Sequence, residues 1–162
     1  MDRAGFWTII DDARSGAEDD EAFMGRLAAR LRTLLPQDLM QFQTQFEEVH
    51  AGSYGAELWG AAYLVNGGCS DDRFEYFRAG LIARGRRTFD RVKADPDALA
   101  EVNGDCDLEE LMYIAASIYE EKTGGETMPR AGISYPDLGE GWDFEDEAEM
   151  KRRYPRLVAR YM

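Results

Sequence analysis

The side chains that could do chemistry are few, and most stand in short clusters. His50 is the only histidine in the chain. It closes Glu47-Glu48-Val49-His50, and on a helix the Glu-x-x-His spacing puts a carboxylate and an imidazole on one face, as in di-iron bundles. Those bundles need two such motifs, so a di-iron centre of the usual form is excluded. A lone His50 at a helix end near Gly52 is expected to bond terminal carbonyls instead. A catalytic triad would have to use the same histidine, and nothing marks its partner. The two cysteines, Cys69 and Cys106, show no CxxC spacing and no metal-type cluster.

The acids offer more combinations. Asn66-Gly67-Gly68-Cys69-Ser70-Asp71-Asp72 joins two aromatic-rich helical patterns. Its glycines supply the positive φ that ends a helix, and Ser70 or Asp71 can cap the next one. Asp71 and Asp72 also suit the positive end of that helix's dipole, where they would repel an anion. The corner therefore reads as a C-cap joined to an N-cap, or as a polar pocket of Asn66, Ser70 and Asp71 beside Trp59 and Tyr63. "NGDCDLEE" alternates Asn103, Asp105 and Asp107, but Leu108 stands where a calcium loop needs glycine. Carboxylates such as Glu120-Glu121 or Asp146…Glu149 could hold Mg²⁺ only if they faced one another across a bundle. Arg84, Arg87 and Arg91 share a helical stripe, which is a solvated face, a small anion site or a dock for the acidic stretch 137–149.

The elements that must position these groups are helical throughout. Phe6, Ile10 and Ala13 share a face, and Met24, Leu27, Ala28, Leu31 and Leu34 form an amphipathic stripe. Pro36 suits the first position of a third helix, which lines up Leu39, Phe42, Phe46 and Val49. Residues 54–66 are apolar on most sides, which predicts a central helix with Trp59 buried. Phe74, Phe77, Leu81 and Ile82 define the next, running or kinking past Gly85 to Phe89 and Val92. Residues 94–102 read as a short helix with Pro96 in its first turn. Asp107 and Glu110 have capping-box spacing ahead of a helix that stops at Gly124-Gly125. Residues 125–143 have no period, and a last helix spans 144–162 with Pro155 kinking it or delaying its start. The expected fold is all-α, an irregular single-domain bundle over 1–162: a core in 1–124, a long acidic loop, and a C-terminal helix.

Charge narrows the partners. The net charge is −13, with −15 held by residues 94–149 and +5 by residues 150–162. Such a surface repels a phosphate backbone, so direct nucleic-acid binding is disfavoured. No apolar run approaches a membrane span, and the first residues lack the basic and apolar regions of a signal peptide, so the expectation is a cytoplasmic protein with reduced thiols.

"FWTIIDDAR", "ELWGAAYLVNGGCSDDRFEYFRAGLIARGR", "YIAASIYEEKTG" and "WDFEDEAEMKRRYPRL" together resemble the bacterial domain-of-unknown-function family numbered 4240. The resemblance covers nearly the whole chain and implies a small, mostly actinobacterial protein of a family named for lacking an assigned function. It carries over no catalytic residue. It directs attention to the aromatic corner and to the helix from Tyr113 to Thr123. The expected function is a non-enzymatic binding or accessory module for a protein or small cationic ligand, with no cofactor. Its candidate surface joins Trp59, Tyr63, Asn66, Ser70, Asp71, Asp72 and Tyr76 to Tyr113, Glu120 and Glu121, aromatics giving contact area and acids selecting a cation. The rival is a hydrolase of phosphorylated small molecules, in which Asp71, Asp72, Glu75, Glu120 and Glu121 bind Mg²⁺ or Mn²⁺. A third class is an acidic mimic of nucleic acid. Convergence of three or more carboxylates on one pocket separates the first two.

Overall fold

Asp2 starts the first helix by accepting a hydrogen bond from the Gly5 amide at 2.8 Å, and Asp19 does the same for the second through Ala22 at 2.8 Å. In a computed structural model that describes residues 1–162, these caps open α1 (Arg3–Arg14) and α2 (Asp20–Leu31). Pro36 opens α3 (Pro36–Gly52), as its fixed φ favours. There follow α4 (Ala56–Asn66), α5 (Asp71–Ala83), α6 (Arg86–Ala94), two 3-10 helices (Pro96–Glu101 and Glu109–Met112), α7 (Ile114–Thr123), α8 (Glu147–Arg153) and α9 (Pro155–Tyr161). No strand is present, and the fold is all-α. One apolar core runs from Phe6 to Leu157. Within it α1 packs on α2 and α3, α3 on α7, and α4 on α9.

Several elements differ from expectation. The core side of α4 is made of small residues, Gly60, Ala61 and Ala62, while Trp59 and Tyr63 are only half-buried. Small residues let α9 approach: a Cβ on Gly60 would sit 2.5 Å from the Tyr154 hydroxyl and 2.9 Å from the Trp142 ring. The helix expected past Gly85 breaks there, at φ 98°, and the Arg86 amide is taken by Asp11 Oδ1 at 2.8 Å. The capping box does not form, because Asp107 accepts from Arg73 Nε at 3.0 Å and α7 begins without a side-chain cap. The expected final helix is two helices, separated at Tyr154 because Pro155 has no amide to donate.

The arginine stripe does not dock residues 137–149. Arg91 pairs with Glu101, and Arg84 donates to the Asp105 carbonyl. The basic C-terminal stretch answers the acids instead. Arg156 bonds Asp95 at 2.7 Å, Asp97 at 3.1 Å and Glu101 at 2.7 Å. Asp97 is buried and also accepts the Leu157 amide at 2.9 Å, so it caps α9 from a distant element.

Residues 126–146, before α8, form an irregular strap across α4 and α5. The Leu138 carbonyl accepts from the Ala56 amide at 3.0 Å, Tyr135 stacks on Tyr54 at 5.1 Å, and Phe144 packs on Tyr63 at 5.5 Å.

Candidate functional site

At the aromatic corner, Gly67 and Gly68 take φ of 64° and 122° and close α4, with the Gly68 amide on the Tyr63 carbonyl at 2.9 Å. Ser70 caps α5 by accepting from the Arg73 amide at 3.3 Å. Asp71 and Asp72 stand exposed in the first turn. Trp59 stacks on Phe74 at 4.8 Å and donates its indole N–H to the Cys69 carbonyl at 2.9 Å. Tyr63 is engaged by Phe144 of the strap. The corner's local bonds match a C-cap joined to an N-cap, and its two large aromatics are held by the chain's own contacts. The Asn66 side-chain nitrogen is the one corner group buried without a partner.

The remaining residues of the expected surface come together in part: Tyr76 lies near Asp72 and Tyr113, and Tyr113 and Glu121 border one hollow. Burial, with Glu109 and Asp72 and then Tyr113 nearby, raises the pKa of the Tyr76 phenol. Glu120 and Glu121 are exposed on α7, and Glu121 borders a shallow hollow with Met24 and Arg32. No group of three or more His, Cys, Asp or Glu side chains is placed to hold a metal ion. The five acids of the hydrolase reading therefore do not form a shared metal centre.

A second site lies where α5 faces α3. A cleft of about 790 Å³ opens between α3, α5, the start of α7 and the strap. Glu47 and His50 of α3 both line it, as their three-residue spacing allows. Glu75 faces it from α5, Tyr113 from the turn before α7, and Tyr135 from the strap. Phe46, Met112, Met128 and Ile133 supply apolar wall, and Arg130 and Gln43 also line it.

Two buried bases stand at this wall, His50 lining the cleft and Arg78 behind it. His50 does not bond the carbonyls of its own helix end through its ring. Its Nε2–H donates to the Glu75 carbonyl across the gap to α5, at 2.9 Å, and its ring stacks on Phe46 at 5.4 Å. Burial, and then the Arg78 charge, lower its pKa to about 4. Arg78 is fully buried in the core of α5. Its guanidinium carbon lies 4.5 Å from the Phe74 ring centre, 5.2 Å from Tyr54 and 5.5 Å from Tyr135. Its one side-chain hydrogen bond runs from Nη2 to the Tyr135 hydroxyl at 3.4 Å, and Nε and Nη1 have no partner. No carboxylate pairs with it.

The three rings around Arg78 offset part of the cost of burying its charge, while its two unmet donors remain a cost. Burial accordingly lowers the Arg78 pKa.

Sequence reasoning missed Arg78. The signal was present, since Arg78 follows Phe74 by four residues and precedes Leu81 by three, placing a cation within an apolar stripe. A family model described as "Protein of unknown function (DUF4240)" matches residues 1–121. No curated protein and no solved structure matches the chain.

Proposed function

The chain belongs to this DUF4240 family, and from that premise we propose that it is a helical binding module whose ligand site is the cleft between α3, α5, α7 and the strap. The ligand is a small molecule or peptide end with a cationic group, received by Glu47 and Glu75 and packed by Phe46, Met112 and Tyr113. The observation that carries this reading is the meeting of two carboxylates and an apolar, aromatic wall in one open cleft of about 790 Å³. Acids and aromatics are the chemistry expected from the sequence, and Tyr113 belongs to both arrangements. The aromatic corner supports the cleft from behind, through Phe74 and the strap.

The test uses phenethylammonium, which combines an aromatic ring with a primary ammonium. Its titration into the isotopically labelled full chain should give saturable shifts at Glu47, Glu75 and Tyr113. Glu47→Gln should weaken binding about tenfold, equivalent to roughly 1.4 kcal/mol. No saturable shift at millimolar probe, or shifts centred on Asp71 and Asp72 instead, would overturn the assignment to the cleft.

A further inference from the structure

We infer that Arg78 is a carboxylate-binding residue, and that Tyr135 is the lid that a ligand carboxylate displaces. The donors of a guanidinium lie in its plane, so rings stacked on its faces leave its edges unsatisfied. Phe74, Tyr54 and Tyr135 surround the group, yet its only acceptor is one phenol oxygen at 3.4 Å. Two further donors are buried and unbonded. An arginine cannot escape this by losing its proton at any ordinary pH. An oxyanion is the acceptor that meets the deficit, and planar carboxylate is the group whose geometry guanidinium matches best.

Access is through Tyr135. Tyr135 is 49% exposed although it covers a fully buried charge. It comes from the irregular strap and is held by a stack on Tyr54 at 5.1 Å and the long bond to Arg78. His50 and Glu75, which flank Arg78, also line the cleft beside Tyr135. Swinging the phenol aside would connect the guanidinium to that space.

The surroundings select among anions. Glu47 and Glu75 outnumber Arg130 in the same cleft, so they oppose a phosphate dianion more strongly than a single carboxylate. Phe46, Met112, Met128 and Ile133 suit an apolar body attached to it. The inference rests on the cleft being a ligand site and extends its chemistry: with the ammonium at Glu47 and Glu75, the ligand class becomes an apolar amino acid or a short peptide. The carboxylate half stands separately from the cationic half, and each has its own probe.

His50 is the chain's only histidine, so its ring gives a single, assignable reporter beside Arg78. The charged and titratable groups around it are Glu47 on its own helix, Glu75 and Arg78 on α5, Tyr113, and Arg130 and Tyr135 on the strap. Site-resolved NMR separates its titration from theirs. The experiment follows the His50 ring signals against pH in the full chain, alone and with N-acetylphenylalanine, which has a carboxylate but no ammonium. Inorganic phosphate is the second arm. We expect N-acetylphenylalanine to raise the His50 pKa by at least about one unit, because an anion on Arg78 offsets the charge that opposes imidazolium; linkage makes this a tenfold tighter complex with the protonated ring. Phosphate should leave it in place. Tyr135→Phe removes the competing oxygen and should tighten N-acetylphenylalanine several-fold. Arg78→Met should abolish the response while the variant melts at or above the wild-type temperature.

A His50 pKa unmoved by saturating N-acetylphenylalanine overturns the inference. So does a response that survives in Arg78→Met, or one given by phosphate alone. Weaker binding in Tyr135→Phe would make Tyr135 part of the receptor and remove its role as a displaced lid. If Arg78→Met fails to fold, the wild-type and Tyr135→Phe titrations still decide. Binding of phenethylammonium without N-acetylphenylalanine sinks the inference and leaves the cationic reading; the reverse result does the opposite.

Discussion

His50 sits in the core as a neutral base, so folding excludes a proton that the unfolded chain would hold in mild acid. Its folded pKa of about 4 lies below the ordinary 6.5. The stability it contributes is therefore complete above pH 6.5 and is lost as pH falls from there to about 4. The shift corresponds to a loss of about 3 kcal/mol across that window. Urea unfolding of the wild type from pH 7 to 4 should show this decline, and His50→Gln, which can still donate to the Glu75 carbonyl, should flatten it. An equal decline in His50→Gln would remove His50 as the cause. Glu149 titrates lower: Arg152 and then Arg153 hold its pKa near 2, and its contribution fades only below about pH 4.5. Part of this chemistry was legible in the residues. The Ser70 cap and the shared face of Glu47 and His50 follow from spacings of three along a helix. Arg78 was harder to read, because its isolation depends on Tyr54 and Tyr135, which reach it from other elements.

At the scale of elements, α5 is held against the segment before α7 by an absent side chain. A Cβ added to Gly80 would lie 1.0 Å from the Cys106 carbonyl oxygen and 2.1 Å from its carbon. Both are backbone atoms, and the Leu108 amide bonds the Tyr76 carbonyl at 3.1 Å beside them, so no side chain can rotate to make room. Gly80→Ala should cost about 3 kcal/mol or more, at the upper end of overpacking effects, despite the better helix propensity of alanine. Denaturant unfolding measures it, and a cost below about 1 kcal/mol would show that the two backbones do not meet. This contact explains which elements the sequence revealed. α1 and α2 carry their own side-chain caps, α3 opens on Pro36, and all three carry apolar stripes, so local chemistry announces them. The 3-10 helix at Glu109–Met112 carries neither, and Asp107 is diverted from capping by Arg73. Gly80 looks like a flaw in a helix until its distant partner is known.

Across the whole molecule, the family match ends at residue 121 while the core does not. Met128, Met150, Tyr154 and Leu157 are buried in it, and the Tyr154 hydroxyl donates to the Glu57 carbonyl at 2.5 Å. A chain cut to residues 1–124 should lose the sharp thermal transition of the full chain or melt far below it, because α4 and the Pro96–Glu101 helix would expose the surface that α9 covers. Circular dichroism melts of the two compare them directly, and equal melting temperatures would make residues 125–162 an appendage. The general outline, one helical core with an irregular acidic stretch before the last helices, was readable from periodicity and composition. The closing of opposite charges was not, since only the fold brings Arg156 to Asp95, Asp97 and Glu101. That contact also orders events during synthesis. A ribosome releases the three acids and the helix that bears them long before it releases Arg156, Leu157 and the rest of α9. For that interval Asp95 and Asp97 lack their arginine, Glu101 keeps only Arg91, and the apolar face that α9 covers stands open.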